Sequence, residues 1–231
     1  MLGVRKITMS LRFNSGIDLD GILSTPVICI TGTGTGIGKT IVTGLLASTI
    51  SKSQSVVTQK WVQSGDLDSP DIATHDVISC QNIDPCFVMD RQVYSFSQPV
   101  SPHLAARLNQ THIDLLRLQS ATQRLSSSFQ SVLVETSGGV MVPLSNTETM
   151  GDLIVKMNLP TIVVVPNQLG TINHSLLTLE YLRQRNISVL GFILNNFSDH
   201  TDSLYQDNPC IIESMSGVVW LGTVQGVSLV S

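Results

Sequence analysis

Residues 27–40 read VICITGTGTGIGKT, an apolar run that leads through a glycine-rich loop into the triplet Gly38-Lys39-Thr40. The first four residues are apolar and mostly β-branched, which is typical of a buried strand. From Lys39 to Ser51, apolar residues recur at helical spacing, so a helix is predicted to begin where the loop ends. The stretch therefore predicts a strand, a glycine loop and a helix in direct succession.

This succession is suited to holding phosphate groups. Glycines allow positive φ angles and let backbone N–H groups approach an anion. The helix N-terminus adds a partial positive charge, Lys39 can reach the outer phosphates, and Thr40 can offer its hydroxyl to Mg²⁺. The alternative is a glycine-rich turn with an incidental lysine, which the flanking strand and helix disfavour. We therefore predict a P-loop, the phosphate-binding loop of nucleoside triphosphatases.

The loop departs from the standard P-loop in its length. Standard spacing places a glycine at position 33, where this sequence has Thr33, and the glycine is found at Gly32 instead. The loop is thus one residue longer than usual, which reduces the number of P-loop families that it fits.

The rest of the chain repeats the alternation of strands and helices. Further strands are predicted at 55–61, 132–135, 161–165 and 189–194, and further helices at 71–79, 114–129 and 171–185. Strands without polar alternation, separated by helices, indicate an α/β fold with a mainly parallel sheet and helices on both faces. Ligands of such sheets bind beyond the carboxyl ends of the strands.

Composition limits the other possibilities. The chain has 231 residues, 42% hydrophobic and 13% charged, which fits one α/β domain with a sizeable core. The net charge of −4 comes without acidic or basic runs, which argues against a nucleic-acid partner. No apolar run approaches the ~20 residues of a membrane span. Four cysteines without CxxC spacing favour reduced thiols in the cytoplasm over a disulfide or a zinc site.

We expect residues 26–231 to form the single domain and residues 1–25 to be a short N-terminal extension. That extension has three basic residues ahead of its first acidic one, Asp18, and lacks the apolar segment of a secretory signal. An organelle transit peptide is the alternative interpretation.

Several motifs follow the loop in a fixed order. They are Thr31–Thr40, Lys60 with Ser64-Gly65, Ser101-Pro102-His103, Val132–Glu135 with Gly138-Gly139, Pro143-Leu144-Ser145, Leu169–His174 and Asn195. In this order and at these spacings they resemble the dethiobiotin synthetase family, over about residues 27–220. The resemblance implies a P-loop NTPase fold, a homodimer, and a cyclo-ligase of biotin biosynthesis that uses ATP and Mg²⁺. Its reaction closes a cyclic urea on 7,8-diaminononanoate with CO₂, through a carbamate and a carbamic-phosphoric anhydride.

The resemblance also assigns residues. Lys39, Lys60 and Thr35 are the expected catalytic residues, placed around the γ-phosphate and the carbamate. The expected nucleotide-binding residues are Gly36, Ile37, Gly38, Lys39, Thr40, Ile41, Asp71, Glu135, Thr136, Ser137, Gly138, Asn195 and Asn196. The expected substrate-binding residues are Lys60, Ser64, Gly170, Thr171, Ile172 and Asn173. The expected magnesium ligands are Thr40, Asp71 and Glu135, all hard oxygen donors.

The histidines receive no chemical role from the sequence. Packing or loop fixing is the expected role of His103 and His174, and a surface position is expected for His75, His112 and His200. No pair of them has the spacing of metal ligands.

Some positions depart from the family pattern. Gly34 stands where an acidic residue is usual, and Thr136-Ser137 replace Gly-Ala after the strand that ends in Glu135. We expect Thr136 and Ser137 to crowd the phosphate or the substrate, or to form a new hydrogen bond with one of them. Residues 218–221 lack the proline that is typical near the nucleotide base. ATP is the expected nucleotide, and looser nucleotide choice is the alternative.

Three other functions fit parts of the pattern. An amide-forming ligase of the cobyrinate class has similar loops, but it usually carries a glutamine-hydrolysing domain for which 231 residues leave no room. A partition-type ATPase has an additional lysine early in its loop, where this chain has Thr33 and Gly34. A synthetase that has lost activity is disfavoured because both lysines, Ser64 and the three oxygen ligands are present.

Overall fold

The computed structural model describes residues 8–65, 67, 70–196 and 206–227. Its strands are β1 Thr8–Phe13, β2 Val27–Gly32, β3 Val56–Ser64, β4 Gln92–Phe96, β5 Ser131–Glu135, β6 Thr161–Pro166, β7 Val189–Asn196 and β8 Trp220–Val227. Its helices are α1 Leu19–Leu23, α2 Lys39–Ile50, α3 Asp71–Ser79, α4 Val88–Arg91, α5 Pro102–Leu108, α6 Leu115–Ser128, α7 Met150–Met157, α8 Thr171–Gln184 and α9 Asn208–Ser216. A short 3₁₀ helix at Pro85–Phe87 precedes α4.

The described strands form one sheet in the order β1-β8-β7-β6-β2-β5-β3-β4. All neighbouring pairs are parallel except β1 with β8, which is antiparallel. The P-loop strand β2 lies between β5 and β6, so the loop leaves the sheet near its centre. The carboxyl ends of β2, β3 and β5 therefore meet at the same edge, which positions the site.

Successive side chains of the central strands are buried on opposite faces of the sheet. In β5, Val132 and Val134 belong to one apolar cluster, and Leu133 belongs to the other. The first cluster includes side chains of α6, α7 and α8, while the second includes Val42, Leu46 and Ile50 of α2. Both faces are thus covered by helices, which is why these strands lack polar alternation. The predicted α/β fold is confirmed.

The predicted elements all appear, with shifted ends. The strand predicted at 55–61 extends to Ser64, which brings that residue to the carboxyl edge of the sheet. The sequence did not predict β4, a short edge strand with the partly polar sequence Gln-Val-Tyr-Ser-Phe. Asp114, the first residue of the predicted 114–129 helix, lies just before the observed helix and caps it, its carboxylate accepting from the Leu116 N–H at 2.9 Å.

The N-terminal stretch differs from the expected extension. β1 pairs along its whole length with β8, and Leu11 and Phe13 pack against the apolar cluster on the α2 face. The domain was expected to begin at residue 26, whereas β1, at Thr8–Phe13, already belongs to the sheet. The overlooked signal is the period-two alternation of Met9, Leu11 and Phe13, which is typical of an edge strand.

The helices were compared with the length and apolarity of a membrane span. Among the residues that the structure describes, no helix combines the length and apolarity needed to cross a membrane.

Candidate active site

A cavity of about 500 Å³ lies at the carboxyl edge of the sheet, between the P-loop, the ends of β3 and β5, and the start of α3. Most of the residues that the sequence assigned to the site line it. They are Thr35, Gly36, Gly38, Lys39, Thr40, Lys60, Ser64, Asp71, Glu135, Ser137 and Gly138.

The glycine loop has the backbone conformation that an anion site needs. Gly36 and Gly38 have φ angles of 71° and 90°, which side chains rarely tolerate. Gly38 is the N-cap of α2 and no side chain caps this helix, so its first amide groups are available to a ligand. Gly32 lies against β6, where an added Cβ would approach Ile37 Cδ1 to 2.3 Å and the Val164 carbonyl oxygen to 3.0 Å. This close approach explains why the glycine is at position 32.

Lys39 lies in the loop with little compensation for its charge. Its side chain is buried, and its Nζ donates to the Gly34 carbonyl oxygen at 2.7 Å. Burial, and next the charge of Lys60, lower the pKa of Lys39 from 10.5 to about 8. The ammonium group would therefore gain from an anion bound in the loop.

Lys60, in the middle of β3, has the opposite surroundings. Its Nζ lies 2.7 Å from both Glu135 Oε1 and Asp71 Oδ2, and donates to the Thr136 carbonyl oxygen at 3.2 Å. Burial alone would lower the pKa of Lys60, but the charges of Glu135 and Asp71 outweigh it and raise the pKa. Lys60 is thus a buried, fully paired cation.

Glu135 ends β5 and is 1% exposed. Burial alone would raise the pKa of Glu135, but the charge of Lys60 and a hydrogen bond from His75 lower it from 4.5 to about 2. The carboxylate is consequently ionised throughout the physiological range. A carboxylate kept ionised at the end of a central strand can hold a cation.

The three expected magnesium ligands lie together. Thr40 Oγ1 is 2.9 Å from Asp71 Oδ1 and 3.2 Å from Glu135 Oε1. In the described ranges, no group of three or more histidine, cysteine and acidic side chains could hold a metal ion. Two carboxylates and a hydroxyl are enough for Mg²⁺, which keeps several waters and takes its remaining ligands from phosphate. The residues present fit that ion.

The substituted pair after Glu135 forms hydrogen bonds with neighbouring strands of the sheet. Thr136 is fully buried, and its hydroxyl donates to Thr31 Oγ1 at 3.1 Å on the neighbouring strand β2. Ser137 lines the cavity, but its hydroxyl donates to the Val62 carbonyl oxygen of β3. The Thr136 hydroxyl therefore bonds to β2, and the Ser137 hydroxyl bonds to β3.

The two asparagines that end β7 lie outside the cavity lining. Asn195 Nδ2 donates to the Ile37 carbonyl oxygen of the P-loop at 2.7 Å, and its Oδ1 is buried without a partner among the described residues. Asn196 Oδ1 accepts from Asn167 Nδ2 at 3.5 Å. Asn195 thus holds the loop and keeps one acceptor unused. Ile41, also expected at the nucleotide, packs partly buried against the α2-face cluster.

The structure does not bring Gly170–Asn173 to the cavity. Gly170, with a φ angle of 88°, is the N-cap of α8, and no side chain caps this helix. The Thr171 hydroxyl is buried without a partner in the described structure. Ile172 packs partly buried against the apolar cluster on the opposite face from α2.

Two residues of the site were missed by sequence reasoning. His75 was expected on the surface, but it is fully buried and its Nε2 lies 2.7 Å from Glu135 Oε2. Gln63 lines the cavity and its Oε1 accepts from the Asp71 N–H at 3.3 Å. The available signal for His75 was its position four residues after Asp71, on the same face of α3.

His103 and His112 lie away from Glu135 and the other charged residues of the cavity. His103 Nδ1 is 3.0 Å from Ser101 Oγ, which fixes the start of α5, and His112 is exposed. His200 lies outside the described residues.

Likeness to solved structures concerns the fold alone. The septum site-determining protein MinD of Pyrococcus horikoshii aligns with a TM-score of 0.54 at 16% identity, covering 85% of this chain and 79% of that one. The MinC:MinD complex of Aquifex aeolicus gives 0.51 at 15% identity, covering 85% and 80%. Both alignments agree with the α/β fold that the sequence predicted.

Likeness in sequence is much greater to another group. An AAA domain family model matches residues 27–231. The ATP-dependent dethiobiotin synthetase of Brachyspira hyodysenteriae is 36% identical, covering 85% of this chain and 90% of that protein. The synthetase of Methanococcus vannielii is 33% identical, covering 89% and 93%. These matches confirm the predicted resemblance, and at this identity and coverage the chain belongs to the ATP-dependent dethiobiotin synthetase family.

Proposed function

We propose that this protein is a dethiobiotin synthetase, which uses ATP to close a cyclic urea from 7,8-diaminononanoate and CO₂. One observation carries the proposal: a P-loop lysine and a second buried lysine line one cavity with two carboxylates. A nucleotide site alone requires only the loop. Lys60, on β3 between β5 and β4, supplies a second positive charge in the same cavity, where an anionic substrate group can be phosphorylated.

The first chemical stage forms the activated substrate. One amine of the diamine attacks CO₂, forms a C–N bond and loses a proton, which leaves a carbamate. A carbamate oxygen then attacks the γ-phosphorus of ATP while the bond to the bridging oxygen breaks, giving ADP and a carbamic-phosphoric anhydride. Lys39 and Lys60 lie where they can stabilise the negative charge of the transferred group, and Thr35 and Ser64 line the same cavity.

The second stage closes the ring. The other amine attacks the carbonyl carbon of the anhydride, the C–O bond to phosphate breaks, and a proton leaves the nitrogen. The products are the cyclic urea and inorganic phosphate. This stage depends mainly on holding the amine and the carbonyl carbon close together, so binding geometry supplies most of the acceleration.

Thr40, Asp71 and Glu135 would hold Mg²⁺ with the phosphates. The ion supplies neutralisation of the phosphate charge when it is bound. When Asp71 and Glu135 bind the ion, the Lys60 ammonium group can turn to the anionic oxygens of the substrate. The buried pairing of Lys60 keeps that charge in place before the substrate arrives.

We infer that a second copy of the chain completes the substrate site. The N-terminus of α8 lacks a side-chain cap and suits the carboxylate tail of the substrate, but its residues Gly170–Asn173 do not line the cavity. Leu169, Leu177 and Met141 are exposed apolar side chains, and the last two line a shallow hollow beside Thr33–Thr35 of the P-loop. A homodimer over this hollow would bring α8 near the loop. Light scattering measures the oligomeric state and steady-state kinetics measures turnover. A protein that is monomeric and fully active would contradict this inference.

The nucleotide base is proposed to lie at Asn195. Its unused Oδ1 is an acceptor, which suits the amino group at C6 of adenine, the position at which guanine has a carbonyl oxygen. We therefore propose ATP as the preferred nucleotide of a cytoplasmic enzyme whose four cysteines are free. Comparing turnover with ATP, GTP and CTP tests the preference, and equal rates with GTP would overturn it.

The decisive experiment is direct synthesis. The purified protein is incubated with 7,8-diaminononanoate, bicarbonate, Mg²⁺ and ATP, and dethiobiotin is measured by mass spectrometry together with ADP. We expect both products in equal amounts, and neither when the diamine is omitted. ATP hydrolysis that does not depend on the diamine, without dethiobiotin, would overturn the proposed function in favour of an ATPase.

A further inference from the structure

His75 lies behind the carboxylate wall of the cavity, which we define as Lys60, Asp71 and Glu135. Its side chain is 0% exposed, and its Nε2 is 2.7 Å from Glu135 Oε2. An ionised carboxylate only accepts hydrogen bonds, so Nε2 is the donor. The other ring nitrogen, Nδ1, has no hydrogen-bond partner in the described structure. Among the described residues, Glu135 is thus the one polar partner of the buried ring.

The two oxygens of Glu135 have separate partners. Oε1 is close to Thr40 Oγ1 and to Lys60 Nζ, on the side of the cavity. Oε2 faces away and is held by His75. A carboxylate rotates easily about its terminal bond unless both oxygens are held. His75 therefore fixes which oxygen of Glu135 is presented to the cavity, and in which direction.

The same helix presents the other carboxylate. Asp71 and His75 are separated by four residues, so they lie on one face of α3. Asp71 is held at the first turn by Gln63 Oε1, and the His75 carbonyl oxygen accepts from Ser79 Oγ at 2.7 Å. The contact from His75 to Glu135 thus joins α3 to the end of β5. It sets the position of the two candidate metal ligands relative to each other.

A histidine that merely filled the core would not need this partner. The alternative role is packing, in which an apolar residue of similar volume would serve equally well. The geometry favours positioning, because the ring makes its single described polar contact with the carboxylate that the cavity also uses. Partners that orient metal-binding side chains usually change metal affinity by about 10–100-fold when they are lost.

We propose that His75 is a positioning residue, which orients Glu135 against Asp71 so that a divalent cation binds with the nucleotide. The inference rests on the proposed magnesium site at Thr40, Asp71 and Glu135. His75 itself touches neither substrate nor nucleotide in this proposal.

The test compares two variants of the full chain, His75→Leu and His75→Gln. Leu keeps the apolar volume and removes the donor, whereas the Gln side-chain amide can place a donor where Nε2 lies. Mn²⁺ binding to the protein–ADP complex is measured by electron paramagnetic resonance, and ADP binding is measured separately in EDTA. Thermal unfolding checks that each variant is folded.

We expect His75→Leu to weaken Mn²⁺ binding about 10-fold or more, with metal-free ADP binding unchanged, and His75→Gln to restore most of the loss. Folded Leu protein that binds Mn²⁺ as tightly as the unaltered chain would overturn the proposal and leave packing as the role of His75. A Gln variant as weak as a folded Leu variant would also overturn it.

The control Glu135→Gln separates this inference from the proposed function. We expect it to weaken Mn²⁺ binding as well, because it removes the ligand charge itself. If the unaltered protein–ADP complex binds Mn²⁺ no better than free ADP does, the metal site itself fails, and the inference fails with it. If unaltered protein and Glu135→Gln differ while His75→Leu does not, the metal site stands and only the role of His75 is overturned.

Discussion

Lys39 and Lys60 line the same cavity, yet their surroundings are opposite. Lys39 belongs to the loop wall, which we define as residues 34–40, and its ammonium group has only the Gly34 carbonyl oxygen as a described hydrogen-bond partner. Lys60 belongs to the carboxylate wall and has two carboxylates at 2.7 Å. The pKa of Lys39 falls to about 8 through burial, whereas the pKa of Lys60 rises through its carboxylate partners.

The difference separates binding from stability. The loop wall holds a buried positive charge without an ion-pair partner among the described residues, so it favours an incoming anion at a cost to the free protein. In the carboxylate wall the Lys60 ammonium group is paired with two carboxylates before any ligand binds. A buried charge left unpaired is strongly unfavourable, and this principle predicts opposite results for changes in the two walls.

The largest expected effect comes from Lys60→Leu. It removes charge directed at the transferred group, so turnover should fall by about 100-fold or more. It also leaves Glu135 buried without its main counter-charge, so we expect unfolding free energy to fall by about 3–5 kcal/mol. Steady-state kinetics and urea unfolding measure the two effects. Turnover near that of the unaltered chain would remove Lys60 from the proposed chemistry.

Lys39→Leu is the matched change in the loop wall. ATP affinity and turnover should both fall by about 10-fold or more, since the outer phosphates lose a direct charge. Unfolding free energy at neutral pH should not fall, because the variant loses one hydrogen bond but also the larger desolvation cost of the ammonium group. Calorimetric ATP titration and urea unfolding provide the measurements. A loss of stability as large as that of Lys60→Leu would break the contrast between the walls.

The pH dependence of stability sharpens the same contrast. The folded pKa of Lys39, about 8, lies below its unfolded value of 10.5, so between these values the unfolded chain binds more protons. Stability of the ligand-free protein should therefore rise with pH across this window, by up to about 3 kcal/mol from this group. Lys39→Leu should lack that rise. Urea unfolding of both proteins from pH 7.5 to 10.5 measures the difference, and parallel curves would show that the pKa of Lys39 is ordinary.

The sequence predicted the loop wall better than the carboxylate wall. Gly36, Gly38, Lys39 and Thr40 follow one another along the chain, so a local pattern describes their arrangement before any folding is considered. The carboxylate wall joins β3, α3 and β5, which are distant along the chain. Its members were assigned through the family resemblance, and their contacts depend on the strand order.

His75 and the N-terminal strand show why the rest escaped prediction. A histidine four residues after a candidate ligand is equally compatible with a surface position, and only the packing of α3 over β5 places its Nε2 at Glu135. Thr8–Phe13 carries a weak alternation, and its role depends on β8, more than 200 residues later, offering a free edge. Long-range pairing of this kind is absent from any local window.

The smallest expected effect concerns Thr136, which the sequence placed against the phosphate. Because its hydroxyl faces Thr31 and not the cavity, Thr136→Val should leave ATP affinity and turnover unchanged. The change keeps the shape and removes one buried donor, so unfolding free energy should fall by about 1–3 kcal/mol. Ser137→Ala, which removes the bond to the Val62 carbonyl oxygen beside the cavity, is the matched control. Urea unfolding and ATP titration of both variants apply the test, and a selective loss of ATP affinity in Thr136→Val would return that side chain to the phosphate site.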